Sequence, residues 1–247
     1  MSKDLFSAQA ADYAKYRPIY PPELYEYILS FVKERKRAWD CATGNGQAAR
    51  ALSSFFDKVE ATDLSESQIR HALPHPRVQY SVVPCDRTPF PDHSFDLITV
   101  AQAYHWFDFD SFAKEVRRVG KPGAVLAIWG YGLGQCEDSA IQDLLWDFYR
   151  NTVGPYWDPE RKFIEENYET IPFPFSELSA RSFSISLHWS QEDLLGYLST
   201  WSAVQHFRRE RGEDPLGNFA KKLGPLWQGK DSKLFLTPLF LRLARLE

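Results

Sequence analysis

The sequence has few cysteines, no surplus of basic residues and no long apolar run. Its three cysteines, Cys41, Cys85 and Cys136, are widely spaced, which argues against a disulfide framework or a metal cluster and fits a reducing compartment. Lys and Arg number 29 against 33 Asp and Glu, so nucleic acid and anionic membranes are poor partners. No apolar run reaches the roughly 18 residues of a membrane-spanning helix. We therefore expect a cytoplasmic, metal-free globular protein, monomeric or homodimeric, that acts on a small molecule.

Short apolar runs alternate with helical patterns over the first half of the chain. A helix is expected to begin at Pro22 and to run to about Arg35, and "GKPG" (120–123) is typical of a turn. Strands buried between helices indicate an α/β fold with a parallel sheet. The strand-like runs are "AWDCA" (38–42), "VEATD" (59–63), "VQYSVV" (78–83), "FDLITVA" (95–101) and "AVLAIWG" (124–130).

Past Gly134 the chain changes to ring-rich helical patterns and two alternating strands, at 181–189 and 233–246, which suit an antiparallel edge of the sheet. Aromatic residues make up 15% of the sequence, and they either line a concave site or fill a core. We expect one domain over 1–247. Its expected parts are a helical cover (1–36), a cofactor-binding core (37–135), and substrate-side helical insertions with closing strands (136–247).

The stretch "AWDCATGNGQ" (38–47) predicts a strand, a glycine turn and a helix, which together form a nucleotide-type site. Asp63 follows Gly44 by about 20 residues, the distance at which a carboxylate meets a ribose. Asp86 follows the next strand. A nicotinamide dinucleotide or S-adenosylmethionine could use such a loop. Asp40 favours the second, because a carboxylate repels a pyrophosphate and attracts an ammonium group.

Several motifs in order resemble those of class I S-adenosylmethionine-dependent methyltransferases, in particular the small-molecule (type 11) group that includes trans-aconitate methyltransferases. The resemblance spans roughly residues 5–135 and rests on "WDCATGNG", "ATDLS", "CDRTPFPDHSFDLITVAQAYHWFD" and "KPGAVLAIW". It implies a Rossmann-like fold: a mostly parallel seven-stranded sheet with an antiparallel C-terminal strand and helices on both faces. It also implies S-adenosyl-L-methionine as cofactor and transfer of a methyl group.

The resemblance assigns the cofactor contacts. Asp40 and the loop Ala42–Gly46 would hold the methionine end, and Asp63 the ribose. Ala42 stands where the family usually has glycine, and a methyl group tolerates only ordinary backbone angles, so we expect this loop to sit differently. The other implied cofactor contacts are Leu64 on the adenine, Cys85 and Asp86 at its amine, Gln102 and Ala103 beneath the cofactor, and Tyr13 and Arg17 in the N-terminal cover.

His105, in "QAYHWFD", is the candidate catalytic residue, because it follows the fourth strand and lies beside the expected methyl group. It is either a general base or a structural hydrogen-bonding group that orders its loop. A carboxylate acceptor would need no base. The candidates for the acceptor pocket are Tyr20, Tyr104, Trp106, Trp129, Tyr156, Trp157 and Arg161, and an arginine there suits an anionic substrate.

Three alternatives remain at the level of sequence. A protein that binds the cofactor without transferring a methyl group would keep the same loop. An NAD(P)-dependent oxidoreductase would use the glycines for phosphate. A methyltransferase of RNA or protein would need a basic platform, which the acidic net charge disfavours.

Overall fold

The computed structural model describes residues 16–179, 181–227 and 231–247. Seven strands of five or more residues form one sheet together with two two-residue strands. In chain order the nine strands are β1 (Arg37–Cys41), β2 (Lys58–Asp63), β3 (Val78–Val82), β4 (Phe95–Ala101), β5 (Gly120–Tyr131), β6 (Gln135–Cys136), β7 (Ser176–Glu177), β8 (Phe183–Trp189) and β9 (Lys233–Arg245).

The strand order confirms the expected fold. The main path is β3-β2-β1-β4-β5-β9, and β8 pairs with the far side of β9. The pairs from β3 to β5 are parallel. Only β9 among the seven long strands runs the other way, because it is antiparallel to both β5 and β8. The order reverses between β1 and β4, and open α/β sheets bind ligands outside the carboxyl ends of the strands at such a point.

Burial on both faces explains why the central strands are continuously apolar. In β5, Val125, Ala127 and Trp129 pack into one hydrophobic cluster, while Leu126 and Ile128 pack into a second cluster on the opposite face. Successive strand residues point to opposite faces, so a strand covered twice has no solvent-facing position to fill with polar residues. This sheet is the rigid platform that positions the site.

Helices cover the sheet and form the wall beside the site. The helices of five or more residues in the described chain are Pro22–Leu29, Gln47–Leu52, Glu66–His71, Phe109–Val119, Ser139–Asp147, Arg161–Glu165, Gln191–Ser199, Ser202–Arg211 and Pro215–Leu226, with a π-helical turn at Phe148–Thr152 and 3-10 turns at Tyr104–Trp106 and Gly154–Tyr156. None of these is long and apolar enough to cross a membrane.

Two expected boundaries are wrong. The helix from Pro22 ends at Leu29 rather than near Arg35, because the following segment is held to the sheet: the backbone N–H groups of Lys36 and Arg37 both donate to Asp96 Oδ2 at 2.9 Å. The "GKPG" stretch is the start of β5 rather than a turn. It stays in the sheet past an irregularity in the β4 register.

Candidate active site

The carboxyl ends of β1 and β4 meet at the point where the strand order reverses, and Asp40 lies there. Asp40 is fully buried and stands beside Thr99 of β4 in the parallel register. Its Oδ1 accepts a hydrogen bond from Thr99 at 2.7 Å, and its Oδ2 accepts one from Thr43 at 2.5 Å. Burial raises the Asp40 pKa to about 6, although these hydroxyl donors act against the increase. Asp40 therefore places a negative charge directly beneath the glycine loop.

Asp63, at the end of β2, ties two loops together. Its Oδ2 accepts the N–H of Gly44 at 2.8 Å, and its Oδ1 accepts the N–H of Ser65 at 2.8 Å. Hydrogen bonds to an ionised acceptor are among the stronger ones in proteins. The carboxylate thus connects the glycine loop after β1 to the turn after β2.

The expectation that the Ala42 methyl group would restrict the loop to ordinary backbone angles is wrong. Ala42 has φ +53°, in the left-handed region, and Gln102, the residue after β4, has φ +57°. Both lie just past the carboxyl ends of neighbouring strands, where functional sites commonly retain such strain. The loop after β1 therefore keeps a glycine-like conformation with an alanine in place.

This conformation predicts a small gain on changing Ala42→Gly. A non-glycine residue in the left-handed region costs about 1–2 kcal/mol, and the entropy that glycine adds to the unfolded chain offsets about 0.5–1 kcal/mol. We expect the free energy of unfolding to rise by up to about 1 kcal/mol in urea titrations. The control, Ala48→Gly in a helix, should lower it by about 1 kcal/mol. Equal destabilisation by both changes would contradict the prediction.

The other expected cofactor contacts lie along the same edge with different exposure. Leu64 is 47% exposed, Asp86 is exposed, and Cys85 and Ala103 are half-buried. Gln102 is already engaged: its side-chain amide donates to the Tyr131 carbonyl at 3.0 Å and accepts from the Tyr131 N–H at 2.7 Å. Gln102 thus joins the ends of β4 and β5.

A small pocket of about 50 Å³ opens beside the end of β4. Six residues expected from the sequence line it together, although they come from three separate segments of the chain: Arg17, Gln102, His105, Trp106, Trp157 and Arg161. Four lining residues were not expected: Asp158, Tyr197, Trp201 and Ser202. Aromatic rings with a few convergent polar groups are typical of a site for a small organic molecule.

His105 lies in the wall of this pocket and is neutral. Burial and, secondarily, the positive charge of Arg161 lower its pKa to about 3. Its Nδ1 is 2.7 Å from the hydroxyl of Tyr168, a fully buried residue with φ +60°. Burial also raises the pKa of Tyr168 far above its usual range. The pair is therefore an uncharged hydrogen bond that fixes the orientation of the imidazole ring.

Two arginines bring positive charge to the pocket. Arg161 donates its Nε to Tyr149 at 2.9 Å, and its guanidinium lies 4.7 Å from the centre of the Trp157 ring. Arg17 donates to the Tyr131 hydroxyl at 3.1 Å and to the Thr200 carbonyl at 3.3 Å. Arg17 is thus committed to the scaffold, whereas the terminal nitrogens of Arg161 have no hydrogen-bond partner among the described residues.

Comparison with known proteins identifies the family. A methyltransferase-domain family matches residues 39–128. A Dictyostelium discoideum protein assigned to the methyltransferases is 33% identical over 251 residues, covering 99% of this chain and 95% of its own length. A solved structure from Anaeromyxobacter dehalogenans, described as a type II methyltransferase, is 42% identical, with a TM-score of 0.84 over 93% of this chain and 97% of its own. The chain belongs to the class I S-adenosylmethionine-dependent methyltransferases.

The family match begins within β1 and ends within β5 of this methyltransferase. It therefore includes the glycine loop, Asp40, Asp63 and His105. It does not reach Arg161 or the helices beyond it. The family match thus covers the loops after β1, β2 and β4, and most of the residues that line the pocket lie outside it.

Four residues predicted for the acceptor pocket of the methyltransferase do not line the 50 Å³ pocket. Trp129 and Tyr104 are fully buried; the Trp129 ring packs edge-on against Tyr20 at 5.4 Å, and the Tyr104 hydroxyl donates to the Pro172 carbonyl. Tyr20 is itself buried. Tyr156 accepts a hydrogen bond from Arg211 Nε at 2.7 Å. Tyr13 lies outside the described residues.

The unexpected pocket residues differ in how visible they were in the sequence. Asp158 lies between the expected Trp157 and Arg161, in "GPYWDPE", and an acid among rings was a usable signal. Tyr197, Trp201 and Ser202 come from the junction of two helices, and no motif in the sequence marks them. Tyr168 gave no signal, because its left-handed backbone and its contact with His105 depend on tertiary packing.

Proposed function

We propose that this methyltransferase transfers a methyl group from S-adenosylmethionine to a small acceptor that carries a carboxylate. The observation that carries the proposal is Arg161. Its guanidinium lines a ring-walled pocket with terminal nitrogens that the described chain leaves without hydrogen bonds, beside His105 at the end of β4. Arginine pairs with carboxylates in a two-pronged geometry, so an anionic acceptor would complete it.

The chain segments at the carboxyl ends of β1 and β2 fit the cofactor chemically. Residues 40–46 and 63–64 contain the carboxylates of Asp40 and Asp63 and no lysine or arginine, so they suit an ammonium and a ribose better than a pyrophosphate. Asp40 with the loop Ala42–Gly46 would hold the methionine end, and Asp63 the ribose. Leu64, Cys85 and Asp86 would meet the adenine, with Gln102 and Ala103 beneath. Bound S-adenosylmethionine supplies a methyl group on a sulfonium that leaves as a neutral thioether.

In this proposal His105 positions the acceptor and does not remove a proton. An imidazole with a pKa near 3 is a weak base at neutral pH. A carboxylate acceptor needs no base, because it already carries the attacking electron pair. The hydrogen bond to Tyr168 holds the ring still, and alignment of acceptor and methyl group is the main requirement of an in-line transfer.

We extend the proposal to the organisation of the chain. Residues 1–36 would cover the cofactor, 37–135 bind it, and 136–247 supply the acceptor pocket through Trp157 and Arg161. The thiols of Cys41, Cys85 and Cys136 are free, which supports a cytoplasmic location. We propose a monomer or homodimer without a nucleic-acid partner.

The test is methyl transfer to a panel of small carboxylic acids, measured as formation of S-adenosylhomocysteine after binding of S-adenosylmethionine has been established by calorimetry. For the best acid, we expect Arg161→Gln to raise KM about tenfold, the value of one charged hydrogen bond, with kcat changed less than threefold. Arg209→Gln, an exposed charge on another helix, is the control. Cofactor binding with no transfer to any acid would favour the non-transferring alternative.

A further inference from the structure

Asp158 is a second charged group in the wall of the acceptor pocket, and the described residues leave one of its carboxylate oxygens without a hydrogen-bond donor. The residue is 8% exposed, and its Oδ2 is buried without a hydrogen bond from the described chain. The imidazole of His206 faces this carboxylate, but its Nδ1 lies 3.8 Å from Oδ2, beyond hydrogen-bond distance. That nitrogen instead lies 3.0 Å from the Tyr156 carbonyl. A buried carboxylate oxygen without a donor is costly, so folding alone gives no reason for this one.

Arg161 lies only three residues further along the chain, yet it does not neutralise Asp158. The link between them is in the backbone, where the Arg161 N–H donates to the Asp158 carbonyl at 2.9 Å. The Arg161 side chain turns to Tyr149 and Trp157 instead. Both residues line the 50 Å³ pocket and also a second cavity of about 300 Å³. A carboxylate and a guanidinium are thus shared by the two cavities without forming an ion pair with each other.

We infer that the methyl acceptor is an amino-acid-like zwitterion, with its ammonium group at Asp158 and its carboxylate at Arg161. This inference rests on the proposed function and narrows its substrate class. An ammonium supplies the hydrogen-bond donors that Asp158 lacks, and the rings of Trp157 and Trp201 in the pocket wall suit a cation. A simple carboxylic acid would satisfy Arg161 and leave Asp158 buried and unpaired, which disfavours it.

Phenylalanine and two analogues test the inference by calorimetry on the methyltransferase saturated with S-adenosylhomocysteine. The analogues are 3-phenylpropionate, which lacks the ammonium group, and 2-phenylethylamine, which lacks the carboxylate. We expect phenylalanine to bind at least tenfold more tightly than either of the others. Asp158→Asn should lower the affinity for phenylalanine about tenfold and change the affinity for 3-phenylpropionate less than threefold. Equal affinities of phenylalanine and 3-phenylpropionate, or no binding of any probe to the saturated protein, would overturn the inference and leave the proposed cofactor use intact. Failure of S-adenosylhomocysteine itself to bind would instead overturn the proposed function.

A ligand-free measurement tests Asp158 separately. Because no described residue donates a hydrogen bond to the buried Oδ2, Asp158→Asn should raise the melting temperature. The matched control is Asp96→Asn: Asp96 is equally buried, but it accepts the N–H groups of Lys36 and Arg37 and pairs with Lys121 at 2.5 Å. That control should lower the melting temperature. A fall for Asp158→Asn as large as for Asp96→Asn would assign Asp158 to the scaffold and overturn the inference.

Discussion

Replacing Asp63 with alanine is expected to weaken S-adenosylmethionine binding at least a hundredfold. The change removes the carboxylate proposed to hold the ribose hydroxyls. It also removes the acceptor that fixes the N–H groups of Gly44 and Ser65, each at 2.8 Å. Hydrogen bonds to charged groups contribute about 1.5–3 kcal/mol each, and about 2.8 kcal/mol corresponds to a hundredfold in affinity. The site would lose a direct contact and the conformation of its loop together.

The measurement is calorimetric titration with S-adenosylmethionine and with its demethylated product, at a temperature where circular dichroism shows each variant folded. Asp57→Ala is the control, because Asp57 is a largely exposed acid paired with Lys36 on the surface, and its removal should leave affinity unchanged. Asp63→Asn keeps an acceptor oxygen but no charge, and its affinity should lie between those of Asp57→Ala and Asp63→Ala. Affinity of Asp63→Ala within threefold of the unmodified protein would disprove the role of this carboxylate.

The placement of the residues predicted to hold the cofactor was predictable because its signals are local. A strand, a turn and an acid at a given distance place Asp40, Gly44 and Asp63 at one edge, whatever the rest of the chain does. The seven-stranded sheet was predictable for the same reason, since strands buried on both faces are apolar without interruption. The boundary at Leu29 was missed because it depends on Asp96, a residue distant in sequence.

The lining of the 50 Å³ pocket was only partly predictable, because position in the sequence does not tell which face of an element a ring occupies. Trp129 lies near the carboxyl end of β5. Because successive strand residues point to opposite faces, its ring points into the core, where it packs against Tyr20 and Tyr25. Trp157 and Arg161 were found in a ring-rich segment. Trp201 joins Trp157 with ring centres 5.3 Å apart, a contact between two distant segments that no local pattern encodes.

Asp40→Asn is expected to stabilise the ligand-free methyltransferase at pH 7 and to lower its affinity for the cofactor. Burial raises the folded-state pKa of Asp40 from 3.8 to about 6. A carboxyl group with a raised pKa contributes stability that is fully present below about pH 3.8 and is lost as the pH rises through about 6. At about 1.36 kcal/mol per pKa unit, the ionised form costs about 3 kcal/mol at neutral pH, and asparagine carries none of that cost.

The free energy of unfolding from urea titrations at pH 4, 5, 6 and 7 tests this sign. The unmodified protein and Asp40→Asn should have nearly equal free energies of unfolding at pH 4. The advantage of the variant should then grow progressively up to about pH 6. Its amide oxygen can still accept from Thr43 or Thr99, so the loop should keep its shape. Thr99→Val is the opposite control: it removes a hydrogen bond that stabilises the ionised form and should lower stability most at pH 7. A constant difference between Asp40→Asn and the unmodified protein at all four pH values would contradict the raised pKa.

The same variant should bind S-adenosylmethionine about tenfold less tightly at pH 7, because the negative charge beneath Thr43 and Gly44 is gone. A gain in stability joined to a loss in affinity is the signature of a residue kept for binding rather than for folding. If affinity were unchanged while stability rose, the Asp40 charge would be no part of cofactor recognition, and Asp63 with the loop Ala42–Gly46 would have to account for it alone.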